Sequence, residues 1–491
     1  MRKVTVLPFF IAVSLAVALA LPVYLRGDPV PEEPVIMNPG YEVGQEVSPD
    51  VLSGAVSLSA GQKLILDDTY YLFFSNVPEM PTEPGILCRV DDVLSPSGMV
   101  RVLFSHMNLL IDWTKRPIEN MPATAGFSVD NRTGRRLEVY AVRSAIGASR
   151  VPDGEYMFLE DAAPVRPGDS EPLYFGSAVG NWVVQQWFLS GGRPPVHLGT
   201  VSPGERVIVS GDVGRRGWIA GMYDLKFIDA ETGRTVGKGD LKAGESVGIK
   251  SFITPLYTDL GPFLDQQERL GRVLPLRRND MVHMRGLFVP GSYPDNPSGE
   301  AVSKRFDITY DAAGGKAAGF ALAAGENDQG EDPSAPYYTA DVFLNDRMRN
   351  GIDPYSRASK GVNGGNYGID YTINLNLTGP AAIALQGASH PDARSHEAFI
   401  DLYNQILTFS LDGKVSTVQM RDPNYDNYYK DYSSLRPPGY GRVIAVYPDR
   451  GGHRHVLRFT LPPNGYGPVR FYLLPLQAAN HERLSRQNPD L

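Results

Sequence analysis

The chain has 491 residues, too many for one ordinary domain, and its 42% hydrophobic and 10% aromatic content can build packed cores. That excludes a wholly disordered protein, and a formal net charge of −8 excludes nucleic acid and disfavours anionic lipid as partners of the body as a whole. A single cysteine, Cys88, excludes an intramolecular disulfide framework. Set in the apolar run Gly85-Ile-Leu-Cys-Arg89, it reads as a small buried hydrophobe, not a reactive thiolate.

Arg2 and Lys3 precede an uncharged stretch over residues 4–25, which Arg26 closes. The leading cations keep the N-terminus in the cytoplasm and deliver the rest of the chain outside. The stretch has the length of a membrane-spanning helix, and Ala18-Leu-Ala20 has the small-x-small form of a signal cleavage site. Residues 1–26 are therefore a signal peptide or a signal anchor. The body is extracytoplasmic, either held by one N-terminal helix or secreted after cleavage near Ala20. Residues 27–52 are rich in proline, which stiffens the chain and forbids helix, and they are read as a stalk.

Beyond the stalk the pattern is short apolar or alternating runs bounded by Gly, Pro, Asn and Asp. Residues 53–260 carry Lys63-Leu-Ile-Leu66, Tyr70-Tyr-Leu-Phe-Phe74, Val100-Arg-Val-Leu-Phe104, Leu137-Glu-Val-Tyr-Ala-Val142, Arg206-Val-Ile-Val-Ser210 and Tyr223-Asp-Leu-Lys-Phe-Ile228. Asn131-Arg-Thr-Gly134 and Asp229-Ala-Glu-Thr-Gly233 are expected to be hairpin turns. Pro262 at a first helical position and Gly271 at a stop predict a linker helix within 261–275. A second β-rich domain occupies 276–476, with strands expected over 306–310, 370–375, 442–447, 456–461 and 469–474. Residues 406–420 are expected to fold back at Asp412-Gly413, and spacing in 396–407 also permits a helix. The polar tail is 477–491. The fold class is all-β, with two β-sandwich-like domains after the export segment and stalk.

Five segments, Tyr71-Leu-Phe-Phe-Ser-Asn-Val-Pro-Glu79, Val100-Arg-Val-Leu-Phe-Ser-His-Met-Asn108, Gly221-Met-Tyr-Asp224, His283-Met-Arg-Gly-Leu-Phe288 and Gly365-Asn-Tyr-Gly368, carry a resemblance. In this order the chain resembles a group of exported envelope proteins of Gram-positive bacteria, some loosely named copper amine oxidase N-terminal-like. The resemblance implies an envelope location. It implies no activity and no functional residue. The histidine-rich copper site and modified tyrosine of an amine oxidase have no counterpart here.

Three regions carry candidate chemistry. Tyr425, Asp426, Tyr428, Tyr429, Asp431, Tyr432 and Tyr440 interleave aromatic faces with carboxylates, which suits sugar or peptide recognition, although such a loop can equally pack its own rings over a sheet. His453 and His455 fall on one face of a strand and could begin a metal site; His390 and His396 offer less. Residues 326–332 (Glu-Asn-Asp-Gln-Gly-Glu-Asp) offer the hard oxygens that calcium takes, and no other cofactor is expected. The glycine-rich Gly361-Val-Asn-Gly-Gly-Asn-Tyr-Gly368 lacks the context of a phosphate loop and reads as a tight connection. No nucleophile elbow or zinc-protease motif occurs. The expected function is an extracytoplasmic structural or binding protein of the envelope, with cell-wall glycan or a partner protein as ligand. The alternative is a secreted carbohydrate-active enzyme whose paired carboxylates meet only in three dimensions.

Overall fold

The computed structural model of the protein describes residues 40–58, 64–66, 70–149, 175–276, 282–283, 285–290, 302–323, 349–355, 360–363, 365–386, 406–419, 441–462 and 469–476. The export segment, the tyrosine-rich region 424–440, the acidic loop 326–332, His390, His396 and the tail lie outside these residues.

The architecture is all-β, built as two sandwiches. In the first, a six-stranded sheet runs in the order Val196–Val201, Leu137–Ala148, Trp218–Asp229, Met99–Met107, Tyr71–Ser75, Arg285–Phe288. It packs on a four-stranded sheet ordered Arg206–Val213, Ala123–Arg132, Ser246–Pro255, Gly85–Val90. The second sandwich pairs two six-stranded sheets, centred on Ala381–Gln386 with Val469–Pro475 and on Asp370–Thr378 with Gly452–Phe459. Alternation of side chains decides which core each residue enters. Phe73, Val102 and Phe104 point into the first sandwich, while Leu72, Phe74 and Leu103 point out of it into a second core. That is why Tyr70-Tyr-Leu-Phe-Phe74 is apolar at every position: the sheet is covered on both faces. Burying each such side chain contributes roughly 1.5–3 kcal/mol.

A long helix, Phe175–Ser190, covers the outward face. Val179, Val183, Val184 and Trp187 join the same core as Leu72 and Met222 of the first sandwich and Phe459 of the second. Its sequence, Phe-Gly-Ser-Ala-Val-Gly-Asn-Trp-Val-Val-Gln-Gln-Trp-Phe-Leu-Ser, is apolar on nearly every side, the signature of a helix buried between layers. Strand-like patterning alone gave no sign of it. Asn181 joins the helix to strand Ile406–Leu411: its amide nitrogen donates to the Ile406 carbonyl at 2.9 Å and its oxygen accepts from the Thr408 N–H at 2.9 Å.

The linker helix is Leu260–Leu270, started by Asp259 accepting from the Gly261 N–H and stopped by Gly271 at φ +59°. It is not a border between domains. Glu268 lies 3.0 Å from Lys250 and Arg132, which fastens the helix to the four-stranded sheet, and strand Arg285–Phe288 then completes the first sandwich. Residues 40–52 are not all stalk: Tyr41 and Leu52 are buried, and Glu46–Val47 pairs with Gly441 and Arg442 at an edge of the second sandwich. Strands Val56–Ser57 and Leu64–Leu66 also belong to the second sandwich, so the first is inserted within it. Of the two expected hairpin turns, the one at Asn131 carries the chain from one sheet to the other, and the one at Asp229 returns only to the isolated bridge Ile228–Thr235. The hairpin at Asp412-Gly413 forms, joining Ile406–Leu411 to Lys414–Gln419.

Candidate binding site between the sandwiches

Arg101, Asp224 and Arg143 sit directly opposite one another on three adjacent strands of the six-stranded sheet. Alternation puts them on the outward face, toward the helix and the second sandwich. Arg101 grips Asp224 bidentately, with Nε to Oδ1 at 2.6 Å and Nη2 to Oδ2 at 3.0 Å. Its Nη1 donates across to the carbonyls of Gly368, at 2.6 Å, and Val302, at 3.3 Å. Arg143 adds a contact from Nε to Asp224 Oδ2 at 2.9 Å. Both guanidiniums lie over the Trp187 ring, at 3.8 Å for Arg143 and 4.6 Å for Arg101. Arg101 and Asp224 are 1% and 0% exposed, so the loss of hydration must be offset by these contacts together.

The row continues into the second sandwich. Arg143 Nη1 lies 3.5 Å from Asp370, which Arg458 also pairs. Here a cavity of about 330 Å³ opens between the sandwiches, lined by Tyr70, Arg101, Arg143, Val302, Ser303, Lys304, Arg305, Asp370, Thr372 and Arg458. Its wall carries five cations and one carboxylate, with Asp224 behind Arg101. Burial first, and then the Asp224 carboxylate, raise the pKa of the Tyr70 phenol, so it stays a neutral hydroxyl at physiological pH. Arginine forks match the two oxygens of a carboxylate or phosphate, and inter-domain clefts commonly hold small ligands.

A second constellation lies deep in the first sandwich. Ser75 Oγ is 3.0 Å from His106 Nε2 and 2.7 Å from Ser251 Oγ, and His106 Nδ1 is 2.9 Å from the Pro78 carbonyl. The contact order resembles a hydroxyl nucleophile with its base, but Ser75, His106 and Ser251 are each 0% exposed and no substrate can reach them. Burial lowers the His106 pKa to about 4. An unfolded chain takes up that proton near pH 6.5, so the unfolded state binds more protons between the two values and stability falls as pH drops through them. We expect a loss on the order of 3 kcal/mol from this group by pH 4. His106→Gln, examined by urea unfolding at about pH 7 and about pH 4.5, should show a flatter profile than the parent. An unchanged slope would exclude His106 as its source.

His453 and His455 do share one face of strand Gly452–Phe459, and they bond to each other: His453 Nδ1 lies 2.7 Å from His455 Nε2. His455 Nδ1 lies 2.7 Å from Asp412, His453 Nε2 faces the Gly379 carbonyl at 3.4 Å, and Tyr447 stacks on His455 at 3.7 Å. All four ring nitrogens thus face protein atoms. Among the described residues no group of three or more His, Cys, Asp or Glu is placed to hold a metal ion. Cys88 is 0% exposed, and burial raises the pKa of its thiol, so it is no thiolate.

The sequence did offer one signal for the cavity. Arg101 interrupts an apolar run, and Asp224 comes directly after Gly221-Met-Tyr, in strands whose neighbours are core residues. The segments 100–108, 221–224 and 365–368 supply Arg101, Asp224 and the Gly368 carbonyl.

No family model matches the chain, and no curated protein matches it. Among solved structures it is similar to the CUB1-EGF-CUB2 domain of human MASP-1/3, at 8% identity over 79% of this chain and 98% of that one, with a TM-score of 0.14. It is also similar to dimeric latent PorU from Porphyromonas gingivalis, at 8% identity over 90% of this chain and 24% of that one, with a TM-score of 0.11. Likeness this slight carries no argument.

Proposed function

We propose that the protein is an extracytoplasmic binding component of the cell envelope whose inter-sandwich cavity takes an anionic ligand by its carboxylate or phosphate. The excess of cations on the cavity wall carries this reading. Fixed guanidiniums in a partly dry cleft attract an anion more strongly than exposed lysines would. The envelope location rests on residues 4–25 with their basic flank and on the resemblance to exported proteins. An acidic sugar of a cell-wall glycan satisfies both halves of the proposal.

The rival enzymatic reading needs one carboxyl group free to protonate a leaving group and a second facing it. Asp224 and Asp370 do approach a common Arg143, but Asp224 is fully covered and gripped by two guanidiniums. That pair is a charge clamp, and nothing about it favours hydrolysis.

Titration of the full chain with glucuronate and, in parallel, with glucose is the test. Glucuronate should bind and glucose should not, with affinity falling as salt rises. Arg458→Gln, on the cavity wall, should weaken glucuronate about tenfold or more. Equal binding of the two sugars, or binding indifferent to Arg458, would remove the anionic-ligand reading.

A further inference from the structure

At one end of the first sandwich a short hairpin, Ile111–Asp112 with Glu119–Asn120, projects from the fold. Every residue from 113 to 119 is exposed, including Trp113 at 64% and Ile118 at 50%. Of the ten exposed large apolar side chains among the described residues, two fall on this seven-residue tip. Between the two stand Lys115 and Arg116, and the neighbouring turn brings Arg215, 3.9 Å from Glu119, and Arg216, whose Nε donates to Asn120 at 3.0 Å. Asp112 and Glu119 are the acids of the hairpin; Asp112 accepts from the backbone and hydroxyl of Thr114, and Glu119 faces Arg215.

The base is firmly held. Asn108 donates to the carbonyls of Met121 and Gly214, and Asn120 donates to that of Leu109. The tip is therefore presented on a fixed mount.

We propose that this tip seats in the headgroup layer of an anionic bilayer. A tryptophan ring and an aliphatic side chain flanked by lysine and arginine suit the boundary where apolar chains meet phosphates. The acidic body does not prevent this, because charges farther off than about 8 Å are screened at physiological salt and the local cations decide. The proposal uses the reading of residues 4–25 as an anchor. From residue 26 to residue 40 an extended chain spans at most about 50 Å, so an anchored body stays close to the bilayer and the tip meets it at high effective concentration.

The full chain, reconstituted into nanodiscs of brominated phosphatidylglycerol or brominated phosphatidylcholine, provides the test. Trp187 and Trp218 are buried and Trp182 is partly buried, so contact quenching by bromine reports mainly on Trp113. Quenching should be about twofold stronger or more in the anionic discs. Trp113→Phe should abolish that extra quenching, and Lys115→Glu with Arg116→Glu should bring the two lipids level. Equal quenching in both lipids, or extra quenching that survives either variant, overturns the proposal. Co-purification with the discs reports on the anchor separately: a chain that fails to co-purify yet is quenched by anionic discs keeps the tip and loses the tether.

Discussion

Replacing Asp224 with alanine should destabilise the protein by about 3–5 kcal/mol, the cost of stranding buried charge. Two guanidiniums, those of Arg101 and Arg143, would lose their shared carboxylate, and Arg101 is 1% exposed. The loss comes less from the missing attraction than from the uncompensated cations. Removing charge from the whole row should therefore be gentler than removing one member: Arg101→Met, Asp224→Leu and Arg143→Leu combined should recover much of the loss. Urea unfolding of the single and triple variants checks this. A single-variant loss below about 1 kcal/mol would mean that water or a rearranged partner replaces the carboxylate.

Trp187→Ala should cost a similar amount, about 3–5 kcal/mol, by emptying a large volume from a core that both sandwiches share. The indole is 0% exposed, and it also supplies the ring face beneath Arg143 and Arg101. The loss should be concentrated at the junction. Calorimetry of the parent should give one main transition, and the variant should separate the melting of the two sandwiches. Trp187→Phe should fall between them. A single transition shifted by less than about 1 kcal/mol would show that the helix is not the mechanical link.

The strands were legible because their information is local. Tyr71-Leu-Phe-Phe74 is aromatic or aliphatic at every position, and Asp412-Gly413 is a two-residue hairpin turn. Helix Leu260–Leu270 was legible from Pro262 and from its stop at Gly271, while its cap, Asp259, came only with the structure. Helix Phe175–Ser190 was not, because apolar residues on nearly every side erase the periodic stripe by which helices are recognised. The turn at Asn131 looks like a hairpin since its Asn side chain organises the bend, accepting from the Thr133 N–H at 3.0 Å; which sheet receives the next strand depends on distant partners. The cavity failed for the same reason. Asp224 and Asp370 come from different sandwiches, and only the pairing register and the packing of one sandwich on the other bring both to the guanidinium of Arg143.

The insertion of one sandwich within the other sets an order of events during synthesis. Once Arg285–Phe288 has emerged, every strand of the first sandwich exists and that unit can close. The second cannot. Val56–Ser57 waits for Ala318–Leu322, and the sheet that holds them is complete only with Val469–Pro475. Its early strands must remain unpaired while a whole domain is synthesised between them, the circumstance in which exposed strand edges find wrong partners. A chain cut near residue 275 would lose Arg285–Phe288 from the first sandwich and strand the opening residues of the second, so neither half is a separable domain.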